Sequence, residues 1–274
     1  MKDFLGPIQT MTFAIAKKST QASISAEAAY LTFGLGANGA TAWSDPTKFY
    51  IRPSSSGTLQ MLATAIKVPA AKWQGVRTKS DGTTAAGSGD VLAYLNTLQT
   101  TGSQPDADLG IGILATDLID KNRATIRALP YQHYGQTCGY LPDSSATSAD
   151  KKNTRDGHYM VWGPLHMLAK VTGGQPSNPG AKVVIDYLTG AVVPEFDLIA
   201  TEAALGVVPD CAMRVSRDSE VGPLSSYMPA KSCECKFVSA ATGVAEPAGC
   251  STCVSNDDCT AAAPSCNYGF CEVR

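Results

Sequence analysis

The sequence predicts an α/β protein, with a mixed sheet flanked by helices and a small disulfide-rich tail. Three observations predict it. Over the first 230 residues, apolar runs of strand length alternate with segments whose apolar residues recur at helical spacing. The 274 residues are 44% hydrophobic and 17% charged, which supports ordinary buried cores and excludes wholesale disorder. Of 9 cysteines, all but Cys138 lie beyond residue 210.

Taken in order, Met11 to Ala16 is apolar enough for a buried strand. Ser25 then offers an N-cap to a helix over 26–33, which Gly34 and Gly36 can end. Trp43-Ser44-Asp45-Pro46 reads as a turn, because Asp bonds its own backbone and Pro fixes φ. Lys48 to Arg52 is a second strand, halted by Pro53. Leu59, Leu62, Ala63 and Ile66 share one helical face, as do Val91, Leu92, Leu95 and Leu98. Leu109 to Leu114, bounded by acids, reads as an interior strand.

Residues 142–158 are polar and read as a long surface loop, after which Tyr159 to Leu168 is apolar and aromatic. A Gly/Pro-rich break at 172–180 precedes a helical pattern through Val183, Val184, Tyr187 and Leu188, and a further helix is expected over 195–205. No repeat of 20–50 residues is present, which argues against a solenoid.

The formal charge is −2 and no basic run could neutralise several phosphates in a row, so nucleic acid is not an expected partner. The longest apolar stretches, such as 198–209, fall far short of the roughly 20 residues of a membrane span. Met1 to Pro7 lacks the apolar core and cleavage site of a secretory signal, so any export signal is expected to be missing or already removed.

The tail places cysteines at 250, 253, 259, 266 and 271 among small polar residues that cannot build a core unaided. One CxxC and no histidine beyond His166 make a poor zinc site. Disulfides are therefore expected, with Cys211, Cys233, Cys235, Cys250, Cys253, Cys259, Cys266 and Cys271 as candidates. Nine is odd, so one thiol is free or pairs outside the chain. No metal or other cofactor is expected. An oxidising compartment follows: secreted, periplasmic or cell-surface.

The most informative stretch is Tyr50 to Met61, where a strand ends, Ser54-Ser55-Ser56-Gly57 follows and a helix begins. A helix start leaves amides unpaired and carries partial positive charge, so it can cradle an anion. Gly57 lets backbone approach closely, Ser55, Ser56 and Thr58 add hydroxyls, and Arg52 at the strand end could grip two oxygens. The plainer reading is a capped helix beside a solvated arginine. No Gly-Lys-Ser/Thr follows, so nucleotide hydrolysis gains no support.

Arg52-x3-Ser56-Gly57-Thr58 at a strand-to-helix junction, after a Ser-capped helix and the Trp43-x-Asp45-Pro46 turn, resembles phosphate-type periplasmic solute-binding proteins of ABC importers. Gly110-Ile111-Gly112-Ile113 takes the place of that family's next strand, and Asp156-Gly157-His158-Tyr159 that of its return crossover. The likeness covers about residues 6 to 215. It implies a type II periplasmic-binding-protein fold with the second lobe at 6–160 and the return segment of an incomplete first lobe at 161–230, while the change of composition past Pro229 sets off 231–274 as a separate cysteine-rich module. It implies that Arg52, Ser55, Ser56, Gly57 and Thr58 bind phosphate or a similar oxyanion and that an ABC permease is the partner. The family's first-lobe segment is expected to be missing before Gly6, and the cysteine tail departs from the family's ordinary members.

An alternative is a surface or adhesion protein in which this fold is scaffold and the tail makes protein contacts. A Ser/His hydrolase is a weaker reading, because no Gly-x-Ser-x-Gly elbow occurs; the chain is expected not to be an enzyme. Asp156-Gly157-His158 reads as a turn, His166 as a partly buried structural histidine, and Glu27 and Glu202 as solvated helix faces. Tyr131, Tyr134, Tyr140 and the three tryptophans read as packing residues.

Overall fold

The computed structural model describes residues 1–79, 81–82 and 86–273. The chain opens with a 15-residue strand, β1 (Lys2–Ala16), then β2 (Ile24–Ser25), α1 (Ala26–Leu35), β3 (Phe49–Tyr50), α2 (Gly57–Ile66), α3 (Ser88–Thr100) and α4 (Gln104–Leu109). Next come β4 (Ile111–Ala115), α5 (Thr116–Lys121), β5 (Ile126–Ala128), β6 (Tyr131–Gln132), α6 (Lys152–Arg155) and β7 (Trp162–Ala169). β8 (Val171–Thr172), β9 (Gln175–Pro176), α7 (Pro179–Leu188) and α8 (Leu198–Ala204) follow. The last elements are β10 (Val215–Ser216), β11 (Ser225–Ser226), α9 (Glu234–Thr242), β12 (Ser265–Asn267) and β13 (Phe270–Glu272).

β1 organises the main sheet. Its second half pairs antiparallel with β4 and β5, Phe13 opposite Ile113 and Ile15 opposite Arg127, and β3 adds parallel to β4. Its first half pairs antiparallel with β7, Lys2 opposite Ala169 and Thr10 opposite Trp162. The ladder shifts register between Leu5 and Ile8, where Gly6-Pro7 intervenes and Pro7 has no N–H to donate. Side-chain alternation divides the interior. Met11, Phe13 and Ile15 pack with Phe33, Phe49, Leu59 and Trp73 on one face, while Ala14, Ala16 and Leu114 meet Val91 and Leu95 on the other. Gly112 lets α3 approach, since a Cβ there would lie 2.8 Å from Val91 Cγ1. The mixed sheet flanked by helices agrees with the predicted fold class.

Most local expectations hold. Ser25 Oγ accepts from the Ala28 amide at 3.1 Å, and Gly36 ends α1 at φ 62°. Asp45 Oδ1 accepts from Thr47 N in a short 3₁₀ turn. The three tryptophans, Tyr131 and Tyr159 are buried.

Three expectations are corrected. Residues 142–158 are not a solvated loop: Lys151 is fully buried, and Asp143, Asp150, Thr154 and Arg155 are also buried. Lys151 Nζ lies 2.7 Å from Asp120 and 2.9 Å from Asp143, and Arg123 contacts the same two carboxylates. The segment is polar because its charges pair with protein charges, Asp143 with Lys151 and Arg123, Lys151 also with Asp120, and Arg155 with Glu234, not with water alone. His166 is exposed, held between Asp3 (2.5 Å) and Glu220 (3.0 Å). Glu202 is buried in α8.

All eight tail-proximal cysteines pair: Cys211–Cys233, Cys235–Cys250, Cys253–Cys266 and Cys259–Cys271, leaving Cys138 free. The sulfurs of Cys253, Cys259 and Cys271 lie close together, but disulfide bonding leaves none as a thiolate for a metal. Cys233 and Phe237 pack with Trp162, Ile199, Val208 and Met213, so the apolar cluster extends across residues 230 and 231. Among the described residues, no helix is long and apolar enough to cross a membrane.

Candidate anion-binding site

β3 delivers the chain to the site. After Tyr50 the strand hydrogen bonding ends, Ile51 N donates to Val76 O, and Ser56 N donates to Pro53 O at 2.9 Å to close a turn. α2 starts at Gly57 because Leu59, Leu62, Ala63 and Ile66 form the buried stripe that holds it on the core. Thr58 is also buried, so it anchors the first turn, whereas Gly57 has open space where a side chain would lie.

Ser56 occupies the N-cap position with extended torsions, yet its hydroxyl makes no capping bond. That separates it from Ser25, Asn178 and Asp197, whose side chains each accept from an amide of their own helices. Among the described residues, the amides of Gly57, Thr58 and Leu59 have no hydrogen-bond partner, and the first turn of α2 contains no acid. Uncapped amides with the helix dipole behind them make the α2 mouth electropositive.

Arg52 is not a solvated strand-end charge. Its Nε donates to Ala86 O at 3.0 Å and its Nη1 to Ser88 Oγ, which turns the guanidinium toward the start of α3. Burial lowers its pKa and Asp90 partly offsets the shift. Nη2 keeps its hydrogens without a partner among the described residues. Arg77 braces the junction from below, donating to Arg52 O, Ala70 O and Trp73 O. The structure thus groups Ser55, Ser56, Gly57 and Thr58 at one mouth and directs the Arg52 fork partly into the protein. It adds Arg77 and Ser88. Gly87-Ser88-Gly89 ahead of an amphipathic run was the one signal for Ser88; nothing local marks Arg77.

The histidines have other partners. Tyr131 Oη and His133 Nδ1 lie 3.0 Å apart, and His158 Nδ1 lies 2.7 Å from Asp156 in a turn at which Gly157 has φ 83°. Among the described residues, none hydrogen-bonds a serine hydroxyl.

No protein-family model matches the chain, and no curated protein does. Similarity is found to solved structures. One, from Planctomyces limnophilus DSM 3776, is described as a possible phosphate binding protein; it is 15% identical over 60% of this chain and 54% of its own, with a TM-score of 0.43. Another, from Clostridium perfringens, is described as a putative phosphate ABC transporter substrate-binding protein with bound phosphate; it is 13% identical over 76% of this chain and 71% of its own, with a TM-score of 0.49. The chain therefore spans about half the length of the first.

Proposed function

We propose that the chain is a solute-binding protein that captures phosphate or a similar oxyanion at the α2 mouth. One observation carries the reading: Ser56 sits at the N-cap without capping, leaving three successive amides without a partner among the described residues and open space at Gly57. A tetrahedral anion placed there would accept from the Gly57, Thr58 and Leu59 amides and from the Ser55 and Ser56 hydroxyls, with the remaining Arg52 hydrogens supplying charge. Thr58 contributes through its backbone, because its side chain is buried. The function is capture, with delivery to an ABC permease and location in a periplasmic, secreted or cell-surface compartment belonging to the same proposal. The four disulfides suit an oxidising location. The division into 6–160, 161–230 and 231–274 as second lobe, return segment and module is part of it too.

Calorimetric titration with inorganic phosphate tests the reading on the intact chain, Arg52→Ala and Ser56→Ala. Binding that weakens about ten- to a hundredfold in Arg52→Ala, and less in Ser56→Ala, is the expected result. Absent heats in all three proteins, or equal affinities, overturn it.

A further inference from the structure

Away from the α2 mouth, a cavity of about 570 Å³ opens between the α7–α8 connection and the disulfide-bonded end of the chain. That volume suits a small organic molecule. Tyr187 and Phe196, which meet edge to face with centroids 6.0 Å apart, line the cavity together with Tyr227 and Tyr268. Cys211, itself in the lining, is bonded to Cys233 next to α9, so the walls are covalently tied. Glu202 of α8 lines the same space.

The lining carries four acids, Glu195, Asp197, Glu202 and Asp210, against two lysines, Lys231 and Lys236, and Glu202 is the buried one among the acids. Lys236 Nζ lies 2.5 Å from Asp197, Lys231 Nζ sits 4.3 Å over the Tyr268 ring, and Tyr227 Oη donates to Asp210. Glu202 is 4% exposed, and its carboxyl has no hydrogen-bond or ion-pair partner among the described residues. A buried carboxylate without a counter-charge is costly, and among the described residues no cation pairs with it. An incoming anion would add further negative charge to a lining in which acids already outnumber lysines. An ammonium would supply the missing positive one, with aromatic faces around it able to attract a cation.

We propose that this cavity is a binding site for an organic amine with an apolar or aromatic body, its ammonium paired with Glu202 and its body packed among Tyr187, Phe196 and Tyr268. No residue of the α2 mouth takes part, so the proposal stands apart from phosphate capture. Desolvation of Glu202 is what holds it ready, since its carboxyl gains most from a partner that arrives with the ligand.

The probe is 2-phenylethylamine, with 2-phenylethanol as the neutral molecule of the same skeleton, titrated into the full chain at about pH 8, where the amine is protonated and a free carboxyl ionised. The amine should bind about ten- to a hundredfold more tightly than the alcohol. Glu202→Gln, which keeps the shape of the side chain, should remove that preference. Equal binding of amine and alcohol by the unaltered chain, binding of neither, or a preference that survives in Glu202→Gln overturns the proposal. The comparison within the unaltered chain decides it even if the variant folds poorly.

Discussion

Replacing Glu202 by glutamine should change how stability depends on pH. In an unfolded chain this carboxyl titrates near 4.5; in the fold, burial without a compensating cation pushes it up to about 7. Below 4.5 both states hold the proton and the site contributes its full stability. As pH rises from 4.5 through about 7, the unfolded chain releases the proton first, so unfolding becomes progressively more favourable. At about 1.36 kcal/mol per tenfold change in proton affinity, the gap amounts to about 3 kcal/mol lost by pH 8 or so. The amide that replaces the carboxyl has no proton to release. Urea denaturation with disulfides intact, from about pH 4.5 to about 8.5, should therefore show the unaltered protein losing about 3 kcal/mol relative to Glu202→Gln. His133, His166 and Asp143 also have displaced pKa values, but they are common to both proteins and cancel in the difference. Parallel stability curves would refute the reasoning, because an ionisable group that burial disfavours cannot leave the pH dependence untouched.

Lys151→Met strips the buried Asp143 and its neighbour Asp120 of their shared cation and should cost about 3–5 kcal/mol in urea denaturation, with Asp143→Asn in the same chain recovering part of that loss. Serine at both Cys211 and Cys233 opens a link between residues 22 apart and should lower stability by about 3 kcal/mol, while thiol titration of the unaltered native chain should find the single free cysteine, Cys138. Imidazole NMR titration should place His166 above 6.5, raised by its hydrogen bonds to Glu220 and Asp3, and His133 below 6.5, lowered chiefly by burial. The His166 contribution to stability is complete below 6.5 and is lost as pH rises through its folded value.

The contrast between what sequence pattern exposes and what it conceals follows from the range of the interactions. α1, α2, α3 and β4 were legible because caps and apolar spacing act within one or two turns, and Ser25 or the Leu59–Ile66 stripe carries its own signal. The first half of β1 was not, since Lys2 to Pro7 is a strand only through its ladder with β7, more than 150 residues away. The eight bonded cysteines could be named from their density, but their pairing depends on which loops meet. At the candidate site the same rule divides the residues: the Ser-Gly-Thr helix start reads locally, while the Ala86 and Ser88 contacts that aim Arg52 lie 34 and 36 residues on.

Buried charge is the hardest case, because composition reports polarity and not partnership. Residues 142–158 look like solvent-exposed chain, yet Asp143, Lys151 and Arg155 are interior groups neutralised by Asp120, Arg123 and Glu234 from distant segments. Glu202 carries the converse lesson. Its helix shows an ordinary mixture of apolar and polar residues, and only the arrival of residues 209–211 and the cysteine-rich end of the chain turns a surface carboxyl into an enclosed one. The first group is fully compensated and reads as architecture. The second is enclosed, faces a cavity and lacks a partner, so the physics that makes it unfavourable in the free protein is what gives a cationic ligand its binding free energy.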